Sequence, residues 1–277
     1  MPKLIFREYS TDFPIEIIRP GIEFHLILGF ASEEYNEDGK GNGNFIETWD
    51  LEYLGPDKVK DFKKNNPNVK VVISLGGRDV ETPFYPAEET VWTRQAVKSL
   101  KVLIGKYNNE SGSIIDGIDI NYDTIKTSNE LFVNCIGQVI TILKNDANLN
   151  INVVSIAPSE KNEFLYRDLY QANKANINWV DYQFNKQEKT VSTVKDFAVI
   201  YNNLIKDYPP NKVLPGTSTD PNNNKIPWEI FIAGCIQLRN HSKLLGIFIW
   251  KAKGFPIPPI PPYHDSLENS LIKILTE

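Results

Sequence analysis

The chain is poor in sulfur and imidazole, with one Met, two Cys and three His in 277 residues. So few histidines and cysteines, never clustered, leave no metal site to argue for, and no cofactor is expected. Cys135 and Cys235 fall in predicted helices about a hundred residues apart. They read as small buried apolar residues, with a disulfide as the alternative. No apolar run approaches the roughly 20 residues needed to cross a bilayer. The opening Met-Pro-Lys-Leu-Ile-Phe-Arg-Glu-Tyr lacks the apolar segment of a signal peptide, so a cytoplasmic protein is expected. Charge of one sign is not in excess: the net charge is −5, with Lys and Arg scattered, which argues against nucleic acid as a partner. No low-complexity linker or charge step divides the chain, and one domain over residues 1–277 is expected. Asn is abundant, a composition compatible with a nitrogen store.

The most informative stretch is Ser113-Ile-Ile-Asp-Gly-Ile-Asp-Ile-Asn-Tyr-Asp-Thr124. Ile114, Ile115, Ile118 and Ile120 suit a buried strand. The strand also carries Asp116, Asp119, Asn121 and Asp123, and the two-residue period turns the last three to one face. Burying an unpaired carboxylate is costly. The row therefore reads as an acidic ladder at the mouth of a barrel, either catalytic, descended from something catalytic, or held in a satisfied structural network. Asp181 is a plausible member of such a network.

Short apolar runs recur along the chain. Strands are predicted at Phe24–Ala31, Phe45–Asp50, Val69–Gly77, the acidic stretch, Ile151–Pro158, Trp179–Phe184, Val213–Ser218 and Gly246–Ala252. Helices are predicted from Pro56, Glu88, Ser128, Glu163, Thr193, Pro227 and Ser266. The helix from Glu88 shows Trp92, Ala96, Leu100, Leu103 and Tyr107 at three- and four-residue spacing. Ser32 to Asn44, acidic and Gly-rich, reads as a loop. A second loop, Phe255 to Pro262, is stiffened by proline. Alternating strands and helices at this length describe an α/β fold, a single-domain (β/α)8 TIM barrel, with function at the loops after the strands.

Four motifs carry a family resemblance. Ser74-Leu-Gly-Gly77 resembles the Ser-x-Gly-Gly of the family 18 glycoside hydrolases, the chitinases. Asp116-Gly-Ile-Asp-Ile-Asn-Tyr-Asp123 resembles that family's Asp-Gly-x-Asp-x-Asp-x-Glu. Ser155-Ile-Ala-Pro158 is similar to its fifth-strand ending, and Trp250 falls where the family's eighth-strand Trp floors the sugar pocket. A closer resemblance is to the legume narbonin type and its RuBisCO-associated relative. It is carried by Ile5-Phe-Arg-Glu-Tyr9, Asn152–Glu160, Ile177–Phe184, Val213–Gly216 and Ser218–Pro221. It implies a chitinase-type barrel without hydrolytic activity, serving in seed or vegetative storage or in protein association.

The resemblance also implies which chemistry has been lost. In family 18 the substrate's own N-acetyl oxygen attacks the anomeric carbon, and the enzyme supplies a Glu as acid, an Asp that stabilises the oxazolinium, and a Tyr for the acetamide. The acid position here is Asp123, shorter by one C–C bond, or about 1.5 Å, where a displacement of order 1 Å costs about a hundredfold. The neighbouring acidic position is Asn121, an amide that shares no proton with Asp119. Gln183 stands where the family usually has Tyr, and the adjacent Tyr182 points the other way by alternation. No active catalytic set is therefore expected; Asp116, Asp119, Asn121 and Asp123 are vestigial positions. Tyr182, Gln183 and Trp250 are candidate sugar contacts, with Trp250 equally readable as core. The expectation is an inactive, monomeric protein whose partners are N-acetylglucosamine oligomers or another protein such as RuBisCO. A weak glycosidase using Asp123 is the remaining alternative. Two sequons, Asn109-Glu-Ser111 and Asn240-His-Ser242, carry meaning only outside the cytosol.

Overall fold

The computed structural model describes residues 3–10, 21–77, 82–108, 113–251 and 266–277. Among the described residues nine strands form one sheet: β1 (Leu4–Ser10), β2 (Ile22–Tyr35), β3 (Gly41–Glu47), β4 (Val69–Gly77), β5 (Ile115–Tyr122), β6 (Val153–Ile156), β7 (Trp179–Gln183), β8 (Val213–Ser218) and β9 (Gly246–Trp250). All but β3 are parallel, and β1 pairs with both β2 and β9, so eight strands close into a barrel. The strands are nearly continuous apolar runs because both of their faces are covered. Around them lie α1 (Leu51–Leu54), α2 (Pro56–Asn65), α3 (Glu89–Tyr107), α4 (Asn129–Asn145), α5 (Glu163–Asn173), α6 (Val194–Asp207), α7 (Trp228–Asn240) and α8 (Leu267–Thr276). The expected (β/α)8 barrel is the observed one.

Two strand assignments need correction. The first barrel strand is Leu4–Ser10, not Phe24–Ala31, which is the second. The segment predicted as a loop is a hairpin: β2 runs on to Tyr35 and returns as the antiparallel β3, which takes in part of the predicted second strand and stands outside the barrel. Its turn closes where the Asn36 amide donates to the Lys40 carbonyl at 2.8 Å, with Gly39 at φ 74°. That left-handed conformation favours glycine. The Pro-rich run from Phe255 to Pro262 and the Asn109 sequon lie outside the described residues.

Local signals explain the helix starts. Pro56 opens α2, Ser128 caps α4 through the Leu131 amide, and Thr193 with Asp196 forms a reciprocal capping box on α6. The larger core lies between barrel and helices and includes both cysteines, which are buried and free. A smaller apolar cluster, among it Ile5, Tyr9, Val72, Phe248 and Trp250, fills the barrel interior. Space there is tight: a Cβ on Gly216 would sit 2.0 Å from the Phe248 ring. The rest of the interior is polar, which is unusual for a barrel packed in layers of branched residues.

Candidate functional site

Alternation on β1 turns Ile5, Arg7 and Tyr9 into the barrel. Arg7 is fully buried and reaches three ways. Its Nη1 donates to His25 Nδ1 at 2.7 Å, its Nη2 donates to Ser155 Oγ at 2.6 Å, and its Nε lies 2.9 Å from Asp181 Oδ2. Because His25 Nδ1 accepts, the neutral ring carries its proton on Nε2, which donates to Glu23 Oε1 at 2.8 Å. Burial and the neighbouring guanidinium lower the His25 pKa to about 4, against the pull of Glu23, so the ring is neutral near pH 7.

Asp119 is the other end of this chain. Its Oδ1 accepts from Ser155 Oγ at 2.6 Å, and its Oδ2 from Ser74 Oγ at 2.7 Å and Tyr9 Oη at 2.9 Å. Tyr9 Oη also lies 3.0 Å from Asp181 Oδ2. A phenol has one proton, yet it stands between two carboxyls served by one guanidinium. Burial pushes both carboxyls upward, Asp181 to about 7, with Arg7 opposing in each case. Three hydroxyl donors satisfy Asp119 as a carboxylate, whereas Asp181 Oδ1 is buried with no hydrogen-bond partner. The shared proton therefore resides on the Asp181 side. Burial, and then the two aspartates, lift the Tyr9 hydroxyl far above its ordinary range. Asp119 and Asp181 thus share one internal network, in which the donors to Asp119 are hydroxyls, while Asp123 pairs separately with Lys186.

Above the network, at the C-terminal mouth of the barrel, lies a cleft of about 850 Å³. Phe30, Asp123, Ser159, Lys186 and Lys225 are among its lining residues. Asp123, just past β5, forms an ion pair with Lys186 Nζ through its Oδ2, and its Oδ1 is buried without a hydrogen-bond partner. Asn121 is buried one step below, its Oδ1 3.5 Å from Gln183 Nε2, which donates to the Ala157 carbonyl at 2.7 Å. Asp119, Asn121, Asp123 and Gln183 are thus brought together.

Three other expected residues fall elsewhere. Asp116 sits at a register shift of the β4–β5 pair at the opposite end of the barrel. It accepts from the Val71 amide at 2.8 Å and pairs with Lys63 at 2.6 Å, a structural role. Tyr182 points outward into the helix layer, its hydroxyl accepting from Gln187 at 3.3 Å. It lines a separate depression with Glu163 and Leu204. Trp250 is packed inside the barrel, stacked on Phe30 with centroids 5.3 Å apart. Phe30, rather than Trp250, lines the cleft among the described residues.

Arg7, Tyr9, His25 and Lys186 were not singled out from the sequence. For the first two the signal was present: Ile5, Arg7 and Tyr9 alternate as one face of a strand. Lys186 follows β7 in the turn Phe184–Lys186, where the strand period has ended, and nothing in the sequence aims it at Asp123.

The comparisons with known proteins agree with this fold. A model of the glycosyl hydrolases family 18 matches residues 14–201. The chain belongs to that family. It is 34% identical to chitinase 1 of Tulipa saxatilis subsp. bakeri over 262 residues, 90% of this chain and 81% of the tulip protein. It is 29% identical to the RuBisCO-associated protein of Glycine max over 234 residues, 74% of this chain and 80% of that one. The solved catalytic domain of a family 18 chitinase from the fern Peteris ryukyuensis superposes with a TM-score of 0.83 at 33% identity. It spans 99% of this chain and 100% of the fern domain. No helix among the described residues is long and apolar enough to cross a membrane.

Proposed function

We propose that this family 18 protein is a non-hydrolysing member of the narbonin type that keeps the mouth cleft as a carbohydrate-binding groove. The observation that carries the reading is the state of Asp123. The position that should deliver a proton to the glycosidic oxygen holds the shorter acid, and one of its oxygens is engaged by Lys186. General acid catalysis needs the acid within about 2.6–3.2 Å of the atom it protonates. Here an ammonium stands against that carboxylate. Asn121 beside it offers an amide in place of the charge that would stabilise a developing cation. Asp119 below retains a full set of hydroxyl donors, so the scaffold of the old site persists without its acid.

The experiment is a calorimetric titration with tetra- and hexa-N-acetylchitooligosaccharides, followed by analysis of the sugar for cleavage. Binding without cleavage is the expected outcome, and turnover by the wild-type protein would sink the reading. In the N121D/D123E variant a gain of turnover would show that only the acid and its neighbour had been lost. A second reading, association with another protein, is favoured by the likeness to the soybean RuBisCO-associated protein, and co-precipitation with RuBisCO tests it. A storage role accords with the sulfur-poor, Asn-rich composition and competes with neither reading.

A further inference from the structure

Among the described residues, the cleft is lined by three lysines, Lys161, Lys186 and Lys225, and by two acids, Asp123 and Glu188. Asp123 and Lys186 are paired with each other. Lys161 and Lys225 form no ion pair among the described residues, and both are exposed. Among the described residues, two cationic groups against one remaining carboxylate give the groove a positive balance, although the whole chain carries −5. The remaining lining is hydroxyl and amide: Ser32, Thr48, Thr124, Ser159, Asn185 and Gln187 are among it. Such groups match the hydroxyls of a sugar. Aromatic surface, on which neutral sugar rings stack, is confined to Phe30 among the described residues.

We propose that the cleft is selective for a sugar chain bearing carboxylates, a uronic-acid oligosaccharide, over neutral amino-sugar chains. The proposal rests on the carbohydrate-binding reading above and names its substrate class. Hydroxyl and amide groups hold the ring hydroxyls, and Lys161 and Lys225 meet the carboxylates from the two loops that flank β7: one follows β6, the other β8. Complementary charge of this kind sets preference and salt dependence more than raw affinity. A focused field in a cleft acts on the ligand even where the protein's net charge opposes it.

The test is titration of the full chain with tetragalacturonate and, separately, with tetra-N-acetylchitotetraose, at low and at 0.5 M salt. Tetragalacturonate should bind at least roughly tenfold more tightly than chitotetraose at low salt, and the preference should shrink as salt screens the groove. K161A/K225A should weaken tetragalacturonate about tenfold and leave chitotetraose nearly unchanged. K58A/K64A, on the exposed side of α2, controls for general attraction to lysine; an equal loss there would overturn the proposal. Chitotetraose binding as tightly or more tightly, with no effect of K161A/K225A, would overturn it and leave the carbohydrate-binding reading intact. Binding of neither sugar would overturn both.

Discussion

Arg7 is the cation of the barrel interior, and its neighbours set the local charge. Removing it leaves the Asp119 carboxylate buried beside Asp181 without a counter-charge, the case in which breaking a buried pair is most destructive. Arg7→Met should lower unfolding free energy by about 3–5 kcal/mol, measured by chemical denaturation at pH 7. Arg7→Lys keeps the charge but loses the three-way fork, so it should fall between the two. The titration of this network has a sign. The Asp181 carboxyl is raised from 3.8 to about 7, so between those values the folded state holds the proton that the unfolded state has released. Its contribution is complete below pH 4 and is lost as pH rises to 7, a slope worth roughly 4 kcal/mol. His25 is lowered from 6.5 to about 4. Its folded state holds fewer protons, so its contribution grows with pH over that window, by roughly 3 kcal/mol. The two slopes oppose one another. Asp181→Asn, which mimics the protonated acid, should erase only the falling slope. The difference between the wild-type and D181N stability profiles should decline from pH 4 to 7; a flat difference would place the proton elsewhere.

The hairpin of β2 and β3 is the element that departs furthest from its sequence pattern. Gly39, Gly41 and Gly43 with Asp38 and Asn36 resemble a loop by composition. What makes them a strand pair is tertiary: buried Glu33 accepts from the Gly43 amide at 2.7 Å and from Trp92 Nε1 at 2.5 Å, tying the hairpin to α3. Burial raises the Glu33 carboxyl to about 7. Trp92→Phe removes a donor from a buried acceptor and should cost about 1–3 kcal/mol. Amide exchange in β3 should accelerate more than in β5. β1 is hidden for another reason: Arg7 and Glu8 interrupt the apolar pattern that makes the other barrel strands visible. Helix starts were legible because caps are local, as at Ser128 and Thr193. The acidic row on β5 was legible because period-two alternation is local too. Contacts made across the barrel, Lys186 to Asp123 and Tyr9 to Asp181, lie 63 and 172 residues apart and leave no periodic trace.

At the scale of the whole molecule, the barrel interior admits little change in volume. Gly216→Ala would drive a Cβ into the Phe248 ring, whose nearest atom would lie at 2.0 Å. Overpacking of that kind should lower stability by about 1–3 kcal/mol, read as a fall in thermal midpoint with the fold retained. β1 closes the barrel by pairing with both β2 and β9, and it supplies Arg7 and Tyr9 to the interior. Deleting residues 1–10 should abolish the cooperative thermal transition rather than shift it. The closure has a consequence for biosynthesis. β1 is made before its partner β9, with all the other described strands between them, so one edge of β1 waits unpaired while they are synthesised. Throughout that wait Arg7 and Tyr9 have not yet been sealed in the barrel that fixes their partners. A chain truncated before Gly246 has a sheet with open edges and an ionic centre open to water. Such a chain exposes the strand edge of β1 to aggregation until β9 covers it.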